Sequence, residues 1–391
     1  MAHPPVYLDH AATTPVRTEV LEAMLPYLGT AFGNPSSSHR FGRAARAGLE
    51  EARRRVATSL GAEPDDVIFT SGGTEADNLA VIGACTAAAA AGRPMHAATC
   101  RTDHKAVLAA GHAVAGMGGR ESALPVGGSG VIDLAALDTV LAARPAVVSV
   151  IWVNNEVGTI QPVEEIGRRC QAAGAVFHTD AVQAFGNVPV SVGAAGATLL
   201  TISGHKIGAP KGIGALVVRD RAAIGAQIHG GSQQFALRPG TENVAGAVAL
   251  GVAAELAAAE RAEKASRLGG LRDDLASRLR AAIPDAVWIG EEGPLAPHVL
   301  SLAVPGADTE AMLMHLDLQG VAVSGGSACN TGAADPSHVL AAMGVPRSLA
   351  LSTIRFSLGR STTAADVDRA VEVFPGVVSK VRQLAGVLGR A

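Results

Sequence analysis

Thr201 to Gly214 reads TISGHKIGAPKGIG, and the rest of the chain is organised around it. It follows an apolar run, Ala197-Thr198-Leu199-Leu200, which reads as a buried strand. A polar turn, one lysine and several glycines that let the backbone bend tightly come next. The chain holds five lysines against twenty-seven arginines, so arginine has taken nearly every basic position. A lysine kept at Lys206 suggests chemistry that arginine cannot do. An amine can lose its proton and attack a carbonyl, whereas a guanidinium effectively never deprotonates. A phosphate-binding or surface lysine in a glycine-rich loop is the plainer reading of these residues alone.

Asp180 closes another apolar run, Ala175 to Thr179, and Gln183 follows one turn later. An acid at one strand end and a lysine at the next suit pyridoxal phosphate, which needs a Schiff-base lysine and a carboxylate facing its pyridinium nitrogen. Upstream, Val67-Ile68-Phe69-Thr70 reads as a strand, followed by Ser71-Gly72-Gly73-Thr74 and an apolar helix. Strand, glycine turn and helix is the geometry that aims backbone N–H groups at a phosphate, although a plain helix cap using Thr74 and Asp77 looks similar. His104 and Lys105 open a later helix; Lys105 is the rival Schiff-base lysine, with no glycine loop after it. Asn154 and Asn155 end the apolar run from Val147 to Val153, where amides can reach a ligand at a strand's carboxyl end.

At 391 residues the chain can bury a large core and is expected to form two domains. A net charge of −3, without runs of like charge, gives no sign of nucleic acid as a direct partner. Neither a signal peptide nor a membrane span of about twenty apolar residues is visible, so the expected location is cytoplasmic. Cys85, Cys100, Cys170 and Cys329 are far apart and lack ligand spacing, which disfavours a metal site and a disulfide framework. The first three read as small buried hydrophobes. Cys329 lies in a run of small residues, SGGSACNTG from Ser324, where a nucleophilic thiolate or an incidental loop cysteine would both fit. Near the amino end, Thr14 is expected to cap a helix with Pro15 at its first position.

Alternating strand and helix runs from about Val67 to Val218 predict a mostly parallel sheet covered on both faces. A long helix is predicted from Val244 to Ala282, with the domain boundary along it. The expected fold class is α/β: a large domain over 16–258 with the sheet sandwiched by helices, and a smaller α+β domain of 1–15 and 259–391 carrying the Cys329 loop. No G-x-G-x-x-G opens a helix after the first strand, which disfavours a nicotinamide fold.

In order, the chain carries YLDHAATT, FGNPSSSHRFG, FTSGGTEADN, DHKAV, VNNEVGTIQP, HTDAVQ, SGHKIGAPKGIGAL, RPGTEN, SGGSACNTG, PSHVLAAMG and IRFSLGR. It thereby resembles, over essentially its whole length, the cysteine desulfurases. These are pyridoxal-phosphate enzymes of the class V aminotransferase group with fold type I. The resemblance implies conversion of L-cysteine to L-alanine with a persulfide on Cys329, which belongs to the flexible-loop branch. It implies that Lys206 forms the Schiff base, Asp180 faces the pyridine nitrogen and His104 stacks on the ring and moves protons. It further implies Asn155 and Gln183 at the ring hydroxyl side, and Gly73, Thr74, Ser203 and His205 around the phosphate. Thr241 would reach the phosphate of the neighbouring subunit in a homodimer, and Arg355, with Asn34 and Asn155, would bind the substrate. A sulfur-acceptor protein, an iron–sulfur scaffold or a thiolation enzyme, is the implied partner. No resident metal is implied, though Cys329 could ligate an iron–sulfur cluster transiently during transfer. Asp103, where the family more often has Glu, and Asn330-Thr331, where Thr-Ser is common, depart from the pattern. A selenocysteine lyase or an aminotransferase on the same fold is the alternative.

Overall fold

A computed structural model describes residues 4–325 and 336–387. Cys329, with Asn330 and Thr331, lies outside the described residues. The strands in chain order are β1 (Val6–Tyr7), β2 (Val67–Thr70), β3 (His96–Cys100), β4 (Arg120–Leu124), β5 (Val147–Ile151) and β6 (Val176–Asp180), followed by β7 (Leu199–Ser203), β8 (Gly214–Val218), β9 (Val287–Trp288), β10 (Val299–Ala303), β11 (Val321–Ala322) and β12 (Thr353–Ser357).

Seven of them form one sheet in the order β2-β8-β7-β6-β5-β3-β4. Only β8 runs antiparallel to its neighbours, β2 and β7; the other pairs are parallel. Strands β2, β3, β5, β7 and β8 are buried along their full length, as apolar runs covered on both faces require. The parallel register brings the carboxyl ends of β3, β5, β6 and β7 to one edge, where Asp103, Asn155, Asp180 and Lys206 follow or end their strands.

The helix Arg40–Leu60 shows how the sequence covers this sheet. Ala45, Leu49, Ala52, Val56 and Leu60 recur at helical spacing and are buried, with the intervening arginines largely on the wet face. Each fully buried Leu or Val there stabilises the fold by about 1.5–3 kcal/mol. The helix stops at Gly61, whose φ of +66° is a left-handed cap that a side chain would oppose.

A three-stranded antiparallel sheet, β12-β10-β9, and the parallel pair β1-β11 make the second sheet system. They enclose a separate core of Val6, Leu8, Leu302, Leu316, Phe356 and Phe374, among others. The helix Val244–Ala282 serves both cores, giving Ala247, Leu250 and Ala257 to the first and Leu268, Leu275 and Leu279 to the second.

The first helix begins at Thr18, with Arg17 at its cap. Thr14 therefore does not cap it. Its hydroxyl instead donates to the His205 carbonyl at 2.9 Å and accepts the Gly208 N–H at 3.1 Å. Thr13 Oγ1 meets His205 Nδ1 at 3.1 Å, and the Arg17 N–H donates to the Gly208 carbonyl. Residues 13–17 are thus fastened to the loop that carries Lys206, a tertiary use of the threonines that outweighs their local capping preference.

Candidate active site

The carboxyl edge of the large sheet opens into a cavity of about 460 Å³. Lys206 enters it from the short turn Gly204–Lys206 that continues β7. Its Nζ donates to the carbonyls of Ala11 and Ala12 at 2.6 and 2.7 Å. The extended amino-terminal segment thus holds the amine in place from outside the sheet.

Asp180, at the end of β6, is buried and accepts the Val182 N–H at 2.9 Å. Burial pushes its carboxyl pKa up, against the opposing pull of His104, the Val182 N–H and Lys206. His104 precedes the helix Lys105–Gly116, and its Nδ1 accepts the Ala106 N–H at 3.2 Å. That bond places the neutral ring's proton on Nε2. Burial lowers the His104 pKa, with Asp180 raising it and Lys206 and His338 lowering it.

The third wall is the start of the helix Gly73–Ala90, which no side chain caps. Its first amides are left as donors, and Gly73, Thr74, Ser203 and His205 line the cavity beside them. A Cβ on Gly73 would come within 3.1 Å of the Val182 side chain, so the absent side chain leaves room there. His205 is held neutral by burial and by Lys206 and Lys211, with its pKa lowered to about 4. Arg355, on β12, is only 1% exposed. It donates to Asp9 Oδ1 at 2.6 Å and to the Asn155 carbonyl at 2.8 Å, which fixes the guanidinium at the cavity wall.

An amine, an ionisable acid, a ring histidine and an uncapped helix start around one cavity match the donor set of a phosphorylated pyridine aldehyde. Asp77 adds to this match. It lines the cavity, and its Oδ1 is buried without a hydrogen-bond partner among the described residues.

The family model for aminotransferase class-V matches residues 6–370. A protein named cysteine desulfurase IscS, from Dictyoglomus turgidum, is 43% identical over 380 residues, covering 97% of this chain and 96% of its own. The chain belongs to the class-V aminotransferase family, among the cysteine desulfurases. A solved structure described as a NifS-like protein superposes with a TM-score of 0.87 at 33% identity, covering 98% of this chain and 100% of its own. Another, described as SspA in complex with cysteine, gives 0.76 at 33% identity over 90% of this chain and 98% of its own. The mostly parallel sheet flanked by helices is the fold of these desulfurase-like structures.

In this desulfurase the cavity gathers ten of the thirteen site residues picked out in advance: Gly73, Thr74, His104, Asn155, Asp180, Gln183, Ser203, His205, Lys206 and Arg355. Lys105 also lines it. Asn34 does not: it is exposed, and its Oδ1 accepts the Ser36 N–H at 2.9 Å. Thr241 lies against a different pocket, beside Arg238 and Asn243. Gln183 reaches the cavity while donating to the Ala11 carbonyl at 2.8 Å. Asn154 serves structure, accepting the Glu156 and Val157 N–H groups and donating to the Thr102 carbonyl.

Sequence reading missed Ala11, Ala12, Glu156 and His338, which also line the cavity. His338 bonds the Asp103 carbonyl at 2.9 Å, and Ser337 donates to Glu156 Oε2. The backbone carbonyls carry no residue-type signal. For His338, the signal was its place at a helix start inside a quoted motif.

Proposed function

We propose that the cavity holds pyridoxal phosphate and L-cysteine, and that the chain moves the substrate's sulfur to Cys329 while releasing L-alanine. The observation that carries this reading is the convergence of Lys206, Asp180 and His104 with the uncapped helix start and a buried arginine in one cavity. Lys206 and Asp180 would hold the cofactor's reactive carbon and ring nitrogen, and Gly73, Thr74, Ser203 and His205 its phosphate. Bound there, the group supplies a sink for the electrons left when the substrate loses its α-proton.

The chain's own residues do the rest. Arg355 offers a planar fork to the substrate carboxylate, with Asn155 beside it. Lys206 Nζ, oriented by the two carbonyls, is positioned to take the α-proton. His104 Nε2 carries the proton that the substrate side needs. The Cys329 thiolate forms an S–S bond as the substrate C–S bond breaks; the carbon keeps the electron pair and is protonated to give alanine. Lys206 as the working lysine, in place of Lys105, rests on its two carbonyl contacts and its position directly after β7.

A homodimer belongs to the same reading. Leu21, Leu25 and Leu28 are exposed along one face of the helix Thr18–Leu28, with Phe32 nearby in sequence and 69% exposed. Thr241, away from its own chain's cavity, is assigned to the phosphate of the neighbouring subunit, and Asn34 to the substrate side. The division into 16–258 and 1–15 plus 259–391 is supported by the long helix, which passes from one core to the other between Ala257 and Leu268. A sulfur-acceptor protein, an iron–sulfur scaffold or a thiolation enzyme, completes the scheme. Cytoplasmic location is part of it; no helix among the described residues is long and apolar enough to cross a membrane.

Cys329→Ser tests the proposal. Visible absorbance of the bound cofactor should persist and alanine and persulfide formation should both fall to background. Wild-type alanine production by that variant would overturn it, and so would cofactor absorbance retained in Lys206→Ala.

A further inference from the structure

A second cavity, of about 350 Å³, shares Lys206 and Gln183 with the first. Its walls come from the amino-terminal segment, from Glu260 and Lys264 on the long helix, and from His298 and residues 358–361. Arg17 is paired with Glu260 at 2.7 Å and with Glu19 at 3.1 Å, and Arg360 with Glu260 at 3.3 Å. Lys264 has no hydrogen bond or ion pair among the described residues. The lining thus sets Arg17, Lys206, Lys264 and Arg360 against Glu19 and Glu260, an excess of positive charge.

Two buried histidines face the same space. His10 is 6% exposed; neither ring nitrogen makes a well-formed hydrogen bond among the described residues, the Tyr7 backbone being near enough only to raise its pKa slightly. His298 is 3% exposed, with Nδ1 unpartnered. Its other nitrogen is accounted for. Gln183 Nε2 donates to the Ala11 carbonyl, which leaves Gln183 Oε1 to accept from His298 Nε2 at 3.2 Å; Asn187 Nδ2, 3.4 Å from the same nitrogen, is the longer contact and already donates to the Gln183 carbonyl at 2.9 Å. His298 Nδ1 is then a bare acceptor, and the neutral His10 ring offers one donor and one acceptor. All three groups line this one cavity; burial lowers the pKa of both rings, Lys264 adding to it and Asp366 opposing it at His10, and burial lowers Lys264 itself to about 8. Buried polar groups as a rule have partners.

We propose that this cavity binds a small singly charged oxyanion or carboxylate that also carries a hydroxyl donor. The anion sits on Lys264 and the His10 N–H, and the hydroxyl donates to His298 Nδ1. Protonated inorganic phosphate and a short α-hydroxy acid share this chemistry. The site reaches the reaction through one carbonyl. Gln183 Nε2 and Lys206 Nζ both donate to Ala11 O, at 2.8 and 2.6 Å, so an occupant that moves His298 and Gln183 shifts the hold on Lys206.

Isothermal titration calorimetry of the cofactor-loaded protein tests the site with three probes: potassium phosphate, L-lactate and acetate, which lacks the donor. Saturable one-site heat is expected with phosphate or lactate at millimolar concentration, and weaker binding with acetate. Which of the two binds more tightly identifies the source. Lys264→Met should weaken binding roughly tenfold or more, the loss expected for one charge-assisted hydrogen bond. His10→Phe should weaken it as well, and serves alone if Lys264→Met does not fold. Lactate held instead at Arg355 would bind both variants undiminished, which overturns the proposal. Absence of saturable heat with both anions overturns it too, and acetate binding as tightly as lactate removes the hydroxyl donor from it.

Discussion

Alkylation of the native protein should mark a single cysteine per chain. Cys85, Cys100 and Cys170 are buried, and burial pushes each thiol pKa up to about 12. For Cys100 the nearby Asp103 adds to the rise, while its contact with Thr102 Oγ1 at 3.3 Å opposes it. Near pH 8 such a thiol is ionised in about one molecule in ten thousand, against about a quarter for an unperturbed cysteine. Because the thiolate is the reacting species, the three should react roughly two-thousandfold more slowly before restricted access is counted. Brief treatment of the folded holoenzyme with iodoacetamide, read by intact mass and peptide mapping, should give one adduct, at Cys329. The same treatment in guanidinium should label all four cysteines, and native Cys329→Ser should take none. A second native adduct on the same timescale, or one at Cys100, would refute the argument that burial silences these thiols.

Asp9→Asn removes the carboxylate 2.6 Å from the Arg355 guanidinium; a stability loss of about 1.5–3 kcal/mol by urea unfolding is expected, with a raised KM for cysteine. Unchanged stability and KM would show that Asp9 does not fix the fork. His178 is fully buried between Ser149 and Thr201, with its pKa lowered to about 3. Its folded pKa lies below the unfolded value, so its contribution is present above about pH 6.5 and is lost as pH falls toward 3. Between about pH 7 and 5, wild type should lose about 2 kcal/mol of stability relative to His178→Gln; parallel pH profiles would contradict this. Gly167→Ala places a Cβ into the Ala195 carbonyl, and the melting temperature should fall with a loss of about 1–3 kcal/mol.

Much of the sheet was legible because both its faces are covered. Apolar runs such as Val147 to Val153 have no other use for their composition, and strand ends fall where polar residues return. The helix Val244–Ala282 was legible from its Ala, Leu, Glu and Arg pattern without a proline, even though Gly246, Gly251, Gly269 and Gly270 fall inside it. The antiparallel course of β8 was not, because a buried strand's composition is the same in either direction. At the site, Lys206 stood out because arginine holds nearly every other basic position, and Asp180 because an acid that closes an apolar run needs a reason; Arg355 was legible through the family motif. The role of Thr14 was misread because its partners, His205 and Gly208, are distant in sequence, while capping is judged from adjacent residues. The carbonyls of Ala11 and Ala12 were invisible, since every residue has one.

The amino-terminal segment also has a consequence for the order in which the molecule is made. Val6 pairs with Val321, and Asp9 meets Arg355 across 346 residues of chain. During synthesis residues 6–9 therefore wait for these partners until nearly the whole polypeptide has emerged, whereas residues 11–14 can meet 205–208 much earlier. Closing so long a loop adds little to its entropic cost beyond that of a medium one, but it delays the contact. The large sheet can assemble from local βα units well before then. A nascent chain stalled before β11 can already fasten residues 11–17 to the Lys206 loop, yet it lacks the Val6–Val321 pairing and the Asp9–Arg355 contact that tie this segment to the second sheet system.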